Sequence, residues 1–277
     1  MGEILDALAS PLAQGFVRRA LGAGLALGAV GALLGVFIVQ RGLGLLSDGL
    51  AHATFGGLAL GLLLGAAVDR AMWVALPFTV AIALGIHYVR RRTTLGGDVA
   101  TGVFFAVSFA AGILFLGLRS PRSAPVNVEG LLFGSLLAVS PESLGVILVV
   151  AAVVVAVLAW IGPRLAYGTF DPELATLSGV PVAALEYLLL ALTALVVVVG
   201  VKTVGVVLVS AFVVIPAATA SLVARTLGGI ALLAMTLSLA GTAFGLFASY
   251  HLNVATGATI ILTLGAMFFL ALVLRRR

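Results

Sequence analysis

The 277 residues are 62% hydrophobic and 9% charged, with a formal net charge of +5 and a mean hydropathy of +1.29. A soluble domain carries about 25% charge, so there is too little polar surface here to coat a water-facing globule. The missing cysteine excludes disulfides and thiolate metal ligands, and basic residues set between apolar runs read as topology determinants rather than as a nucleic-acid surface.

In chain order, residues 1–11 are mixed in polarity and carry Glu3 and Asp6, unlike a cleavable signal peptide. Apolar runs of about the 20 residues needed to cross a hydrocarbon core follow one another from there on. They are continuous rather than alternating, which selects helices over a closed barrel. Nine spans are predicted, at 15–39, 47–68, 72–89, 98–118, 143–161, 181–200, 203–224, 228–249 and 257–274. The expected fold is all-α, a polytopic transmembrane helical bundle forming a single integral membrane domain over 1–277. Between the fourth and fifth spans, residues 127–139 hold an apolar core at 130–134 that is too short to cross and suits a short re-entrant or interfacial helix. With the C-terminus inside, Arg41, Arg90, Arg91, Arg92, Arg164, Arg225 and the arginines at 275–277 fall inside. They outnumber Arg18, Arg19, Arg70, Arg119, Arg122 and Lys202 outside, which puts the N-terminus outside.

Within the first two spans, Gly24, Gly28, Gly31 and Gly35, and then Gly57 and Gly61, form small faces that permit close helix approach. Asp48 and His52 open the second span four residues apart, so a helix stands them one turn apart on one face. Ionisable groups in a bilayer are costly and face a pathway or a partner. A carboxylate and an imidazole offer an oxygen and a nitrogen to a passing divalent cation, and an incomplete ligand set lets the ion leave again. A plainer reading also fits: Ser47 or Asp48 caps the helix while His52 hydrogen-bonds across the bundle.

His87, just before the arginines at 90–92, reads as interfacial, and Glu129 and Glu142 either shape an entry vestibule or sit at the lipid interface. Residues 168–179 are unusually well punctuated. Asp171 is a natural N-cap, Pro172 fits the first helical position, Glu173 favours the positive terminus, and Gly179 stops the helix before Pro181. Such a short helix, isolated on the arginine-rich side, suits either docking of a cytoplasmic partner or a stiff linker. Glu186 could pair with Arg164, snorkel to the cytoplasmic edge or line a pathway. Lys202 marks a turn at the opposite surface. Pro216 should loosen its helix near residue 212, leaving carbonyls beside Ser210, Thr219 and Ser221 to line a pathway or serve a hinge; a static kink is the bland alternative. His251 belongs to a polar link at 249–253. Lys202, the sole lysine, lacks the glycines of a phosphate-binding loop, so nothing here hydrolyses ATP.

Taken together, the block from Arg41 to His52, the Leu131, Leu132, Phe133, Gly134, Ser135 run, Phe170 to Glu173 with Ala175 and Gly179, residues 205–220, and Gly257, Ala258, Thr259 resemble the membrane permeases of bacterial ABC-type uptake systems for zinc, manganese or iron. The resemblance covers nearly the whole chain. Two departures stand out: Ala51 where the family has serine before the histidine, and Phe55 and Gly56 where a proline follows it. The resemblance implies that Asp48 and His52 contact the metal and that Asp171, Pro172, Glu173, Ala175 and Gly179 belong to a cytoplasmic coupling helix. It further implies a second permease copy, two ATPase subunits that bind ATP, an extracytoplasmic metal-binding protein, and a multi-pass location in the bacterial cytoplasmic membrane. No cofactor is bound permanently; Zn2+, Mn2+ or Fe2+ is cargo. An ion-coupled secondary transporter, a permease for a metal chelate and a non-transporting scaffold are the competing readings.

Overall fold

A computed structural model describes residues 11–119 and 134–275. Its secondary structure is helical: α1 (Gly15–Gln40), α2 (Leu46–Leu63), α3 (Val68–Arg92), α4 (Gly97–Gly117), α5 (Pro141–Phe170), α6 (Pro172–Leu177), α7 (Val182–Val204), α8 (Val206–Val223), α9 (Leu227–Leu252) and α10 (Thr256–Arg275). All but α6 have 18 residues or more, and eight of them are long and apolar enough to cross a membrane on their own. The remaining long helix, α2, is 18 residues long, contains Asp48 and His52, and is largely buried among its neighbours.

The bundle forms around glycines. Gly24, Gly28, Gly31 and Gly35 of α1 face Thr242 and Ser238 of α9 and Phe212, Val213 and Ala217 of α8; a Cβ on Gly35 would collide with the Val213 carbonyl. Gly57 and Gly61 of α2 lie against Ala75 and Ala71 of α3, while Gly56 of α2 meets Ser108 and Gly112 of α4. With no hydrophobic drive between helices in lipid, van der Waals contact of close backbones holds such interfaces. Two groups result, α1 with α8, α9 and α10, and α2 with α3 and α4, and α7 packs against members of both.

The contacts also fix helix direction. Gly28 meets Phe212, Gly35 meets Ala217, and Gln40 Nε2 donates to Ser221 Oγ at 3.3 Å, so α8 runs parallel to α1. The ends of α1, α3, α5 and α8 and the starts of α4 and α7 therefore share one end of the bundle. Arg41, Arg90, Arg91 and Arg92 gather there, whereas Arg70, Glu142 and Lys202 line a recess at the other end.

Three expectations change. The fifth span does not stop at 161: α5 continues through Pro163 to Phe170, since a proline costs a transmembrane helix one hydrogen bond that neighbouring groups can offset. Lys202 does not mark a turn; it lies in the last turn of α7, and the chain breaks at Gly205, whose φ of 90° is open to glycine and strained for other residues. The link at 249–253 is mostly helix, because α9 runs to Leu252 and reverses at Asn253 in the left-handed conformation (φ 54°). Of the short segment predicted at 127–139, residues 127–133, including Glu129 and the 131–133 run, lie outside the described residues. Its remainder forms a 3-10 turn, Leu136–Ala138, packed on α1.

Candidate functional site

Residues 41–45 turn the chain tightly from α1 into α2. Gly42 takes φ 65°, Leu43 N–H donates to Ile38 O at 3.0 Å, and Leu46 N–H donates to Leu43 O at 2.9 Å. Leu45, not Ser47 or Asp48, is the N-cap residue of α2, and no side chain caps that end. Asp48 instead occupies the first turn, where the positive helix terminus favours its carboxylate. Nor does His52 bond across the bundle. Its Nδ1 lies 3.0 Å from the carbonyl of Asp48 on its own helix, so the tautomer that donates there leaves the Nε2 lone pair unused.

The Asp48 carboxylate stands 3.7 Å from His52 Nδ1 and 3.3 Å from the hydroxyl of Ser210 on α8. Ser210 also lies 2.8 Å from the Val206 carbonyl, and its single proton serves one of the two acceptors at a time. Phe105 and Phe109 of α4 approach the His52 ring edge-on, with centroids at 4.7 and 5.7 Å. The Asp48 side chain is 50% exposed on the isolated chain and that of His52 23%. The arrangement therefore offers a carboxylate, an imidazole nitrogen and a hydroxyl against an aromatic wall, with one side left open. Among the described residues no three His, Asp or Glu side chains converge on one point, so these residues supply an incomplete shell for a cation.

Not every residue singled out in the sequence joins this cluster. Pro216 is buried in α8, and the Phe212 carbonyl that it leaves without a helical donor faces Gly31 of α1. Thr219 donates to Ile215 O at 2.7 Å, and nine residues of helix, about 13 Å, separate it from Ser210. Residues 171–179 fold as expected into the capped helix α6: Leu174 N–H donates to Asp171 Oδ1 at 2.9 Å, and Gly179 ends the turn at φ 81°. Ala175 is fully buried, while Phe170, Leu174 and Leu177 are exposed, Leu177 at 84%.

The sequence reading missed a second polar cluster. His87 is not interfacial but buried, because the end of α3 packs against α7 rather than facing solvent. Its Nε2 lies 3.4 Å from Glu186 Oε2. The other carboxylate oxygen of Glu186 accepts from Arg41 Nη1 at 2.8 Å, and Arg164, the partner considered from sequence, is exposed. Burial pulls the Arg41 guanidinium down from its ordinary pKa, with Glu186 opposing that effect. The available signal was Glu186 itself, an acid inside an apolar run.

Residues 13–275 match the family model described as the ABC 3 transport family. The chain is 33% identical over 257 residues to the manganese transport system membrane protein MntC of Listeria innocua, covering 93% of this chain and 90% of that one. It is 34% identical over 255 residues to the manganese import system permease protein ScaB of Streptococcus parasanguinis, covering 92% and 89%. Among solved structures it superposes on a chain of PsaBC from Streptococcus pneumoniae in complex with Fab, with a TM-score of 0.83, 30% identity and coverage of 97% and 95%. A metal-chelate type ABC transporter in an inward-facing conformation shares the fold at a TM-score of 0.74 and 17% identity, with coverage of 92% and 85%.

Proposed function

The chain belongs to the ABC 3 transport family and is the permease subunit of an ATP-driven metal-ion importer of the bacterial cytoplasmic membrane; on that premise we propose that its cargo is manganese and that Asp48 and His52 handle it. The relatives named for manganese support the choice of ion. So does the donor set, since oxygen and imidazole nitrogen with no thiolate suit Mn2+, although zinc and ferrous iron accept the same atoms.

The observation that carries the reading is the open carboxylate–imidazole pair. Asp48 neutralises part of the charge on a dehydrating ion, His52 presents Nε2 while its Nδ1–H is held by the Asp48 carbonyl, and Ser210 offers a hydroxyl oxygen from the facing helix. Phe105 and Phe109 exclude water from one side of the ring. A second permease copy and water complete the shell, and because the described residues of one chain hold no full set the ion is not trapped. An extracytoplasmic binding protein delivers the ion at the end bearing Arg70, Glu142 and Lys202. At the opposite end two ATPase subunits engage Asp171, Pro172, Glu173 and Gly179 of the α6 segment and its exposed apolar side chains, with buried Ala175 allowing α6 to sit close to its own bundle. ATP binding and hydrolysis in those subunits then drive alternating access. A chelate would need a wide cavity at the same place, yet the roughly 660 Å³ recess between α8, α9 and α10 contains neither Asp48 nor His52.

The test is ATP hydrolysis by the reconstituted complex with its binding protein, titrated separately with Mn2+, Zn2+ and Fe2+. Stimulation by manganese that disappears in Asp48→Ala and His52→Ala is expected. Hydrolysis indifferent to all three metals would refute the assignment.

A further inference from the structure

Four helix ends meet around Arg41, seven residues before Asp48. The Arg41 guanidinium donates from Nη1 to Glu186 Oε1 at 2.8 Å on α7, and from Nε and Nη2 to Thr169 Oγ1 at 3.1 and 3.0 Å on α5. Its side chain is only 9% exposed. Thr169 donates its one proton to Leu165 O, so its oxygen meets Arg41 purely as an acceptor. The second oxygen of Glu186 faces His87 of α3, whose ring stands edge-on to Tyr187.

A buried ionic cluster is weak evidence for stability, since desolvation offsets most of the attraction; its best-attested use is to fix the register of the parts it joins. The parts joined here have little slack. On one side, Tyr167 Oη and Ser178 Oγ are 3.0 Å apart and Asp171 N–H donates to Tyr167 O at 3.0 Å, so α6 is tied to the last turns of α5. On the other side, the hydrogen-bonded turn at 41–45 leads directly into α2, where Gly49 N–H already donates to Leu45 O at 2.9 Å. Thr169 sits two residues before Asp171. A displacement of the α5–α6 corner is therefore handed to the guanidinium, and from there to the first turn of α2.

We propose that Arg41 is a positioning residue that links the α5–α6 corner to the turn before α2, so that movement of α6 shifts Asp48 relative to Ser210 on α8. The inference rests on α6 being the ATPase contact. Arginine suits the role because its planar fork holds two acceptors at once, whereas a lysine ammonium keeps the charge and the Glu186 attraction without the forked grip on Thr169.

The experiment uses the complete complex with its binding protein in proteoliposomes, with ATP hydrolysis and Mn2+ uptake measured on the same vesicles. Coupling between sites commonly amounts to roughly 5–150-fold, and Arg41→Lys is expected to hydrolyse ATP within about twofold of wild type while delivering about tenfold less Mn2+ per ATP. Thr169→Val, which removes the acceptor together with the local bond to Leu165 O, should lower the same ratio, and the double variant should fall little below Arg41→Lys alone, because both break the Arg41–Thr169 contact. Uptake and hydrolysis falling in proportion would show that the cluster merely holds the bundle together and would overturn the proposal; so would an unchanged ratio. If Arg41→Lys does not assemble, Thr169→Val decides by the same ratio. Leu177→Glu, at the most exposed side chain of α6, probes the underlying reading separately: wild-type assembly and metal-stimulated hydrolysis in that variant would sink the α6 contact and the linkage with it. Lost assembly would support the contact and leave the Mn2+ per ATP ratio of the first two variants to decide the linkage.

Discussion

Asp48 and His52 are one helical turn apart, and the backbone carbonyl of the first orients the ring of the second. Their substitutions should therefore differ in kind. Asp48→Asn keeps the side-chain shape and the carbonyl that holds His52 but removes the charge proposed to compensate a divalent ion, whereas His52→Ala removes a nitrogen donor and opens the wall formed with Phe105 and Phe109. Losing even an outer-shell partner of a metal site costs about 10–100-fold, so each change should lower Mn2+ uptake by at least about tenfold at matched expression. Uptake within about twofold of wild type in both variants would place the pathway elsewhere. At this scale the sequence was informative where partners are neighbours: the spacing of 48 and 52 alone put them on one face. It was silent where partners are distant. Glu186 was visible as an acid in an apolar run, but its pairing with Arg41, 145 residues away, follows from how α1, α5 and α7 converge.

Among the elements, α1 shows how little room the bundle leaves. Gly35 touches α8 so closely that a leucine there must push the helices apart, and overpacking of this kind costs typically about 1–3 kcal/mol. Gly35→Leu should lower the melting temperature of the detergent-solubilised protein, while the same change at Gly145, which has open space around it, should leave it near wild type. For α6 the expectation concerns docking. Asp171→Ala removes the side-chain cap on the Leu174 N–H, worth about 0.5–2 kcal/mol, and should reduce the amount of ATPase that co-purifies with the permease. Helix α6 was readable almost to the residue because capping is local chemistry. Charge at Lys202 is a poor guide to the α7–α8 break, because the break is set by the backbone freedom of Gly205.

For the whole molecule, the incomplete ligand set among the described residues of one chain and the absence of a phosphate-binding loop from its sequence both point to function only in assembly. Vesicles containing the permease alone should take up no Mn2+ under an imposed proton or sodium gradient, and uptake should begin when the ATPase and binding protein are added. Gradient-driven uptake by the permease alone would return the secondary-transporter reading. Native mass spectrometry of the active particle should give two permease copies. The sequence by itself determined the membrane bundle, the approximate positions of its spans, the separation of its arginines, the capped helix after α5 and the Asp48–His52 pair. Each of these follows from hydropathy, from charge or from contacts within a few residues, where the chain's own geometry leaves few choices. The tertiary structure alone decided that Ser210 meets Asp48 while Pro216 and Thr219 do not, that His87 is buried, and that Arg41 bridges Thr169 and Glu186. Those contacts depend on which helix faces pack, and that is selected by the fit of small residues across the whole bundle.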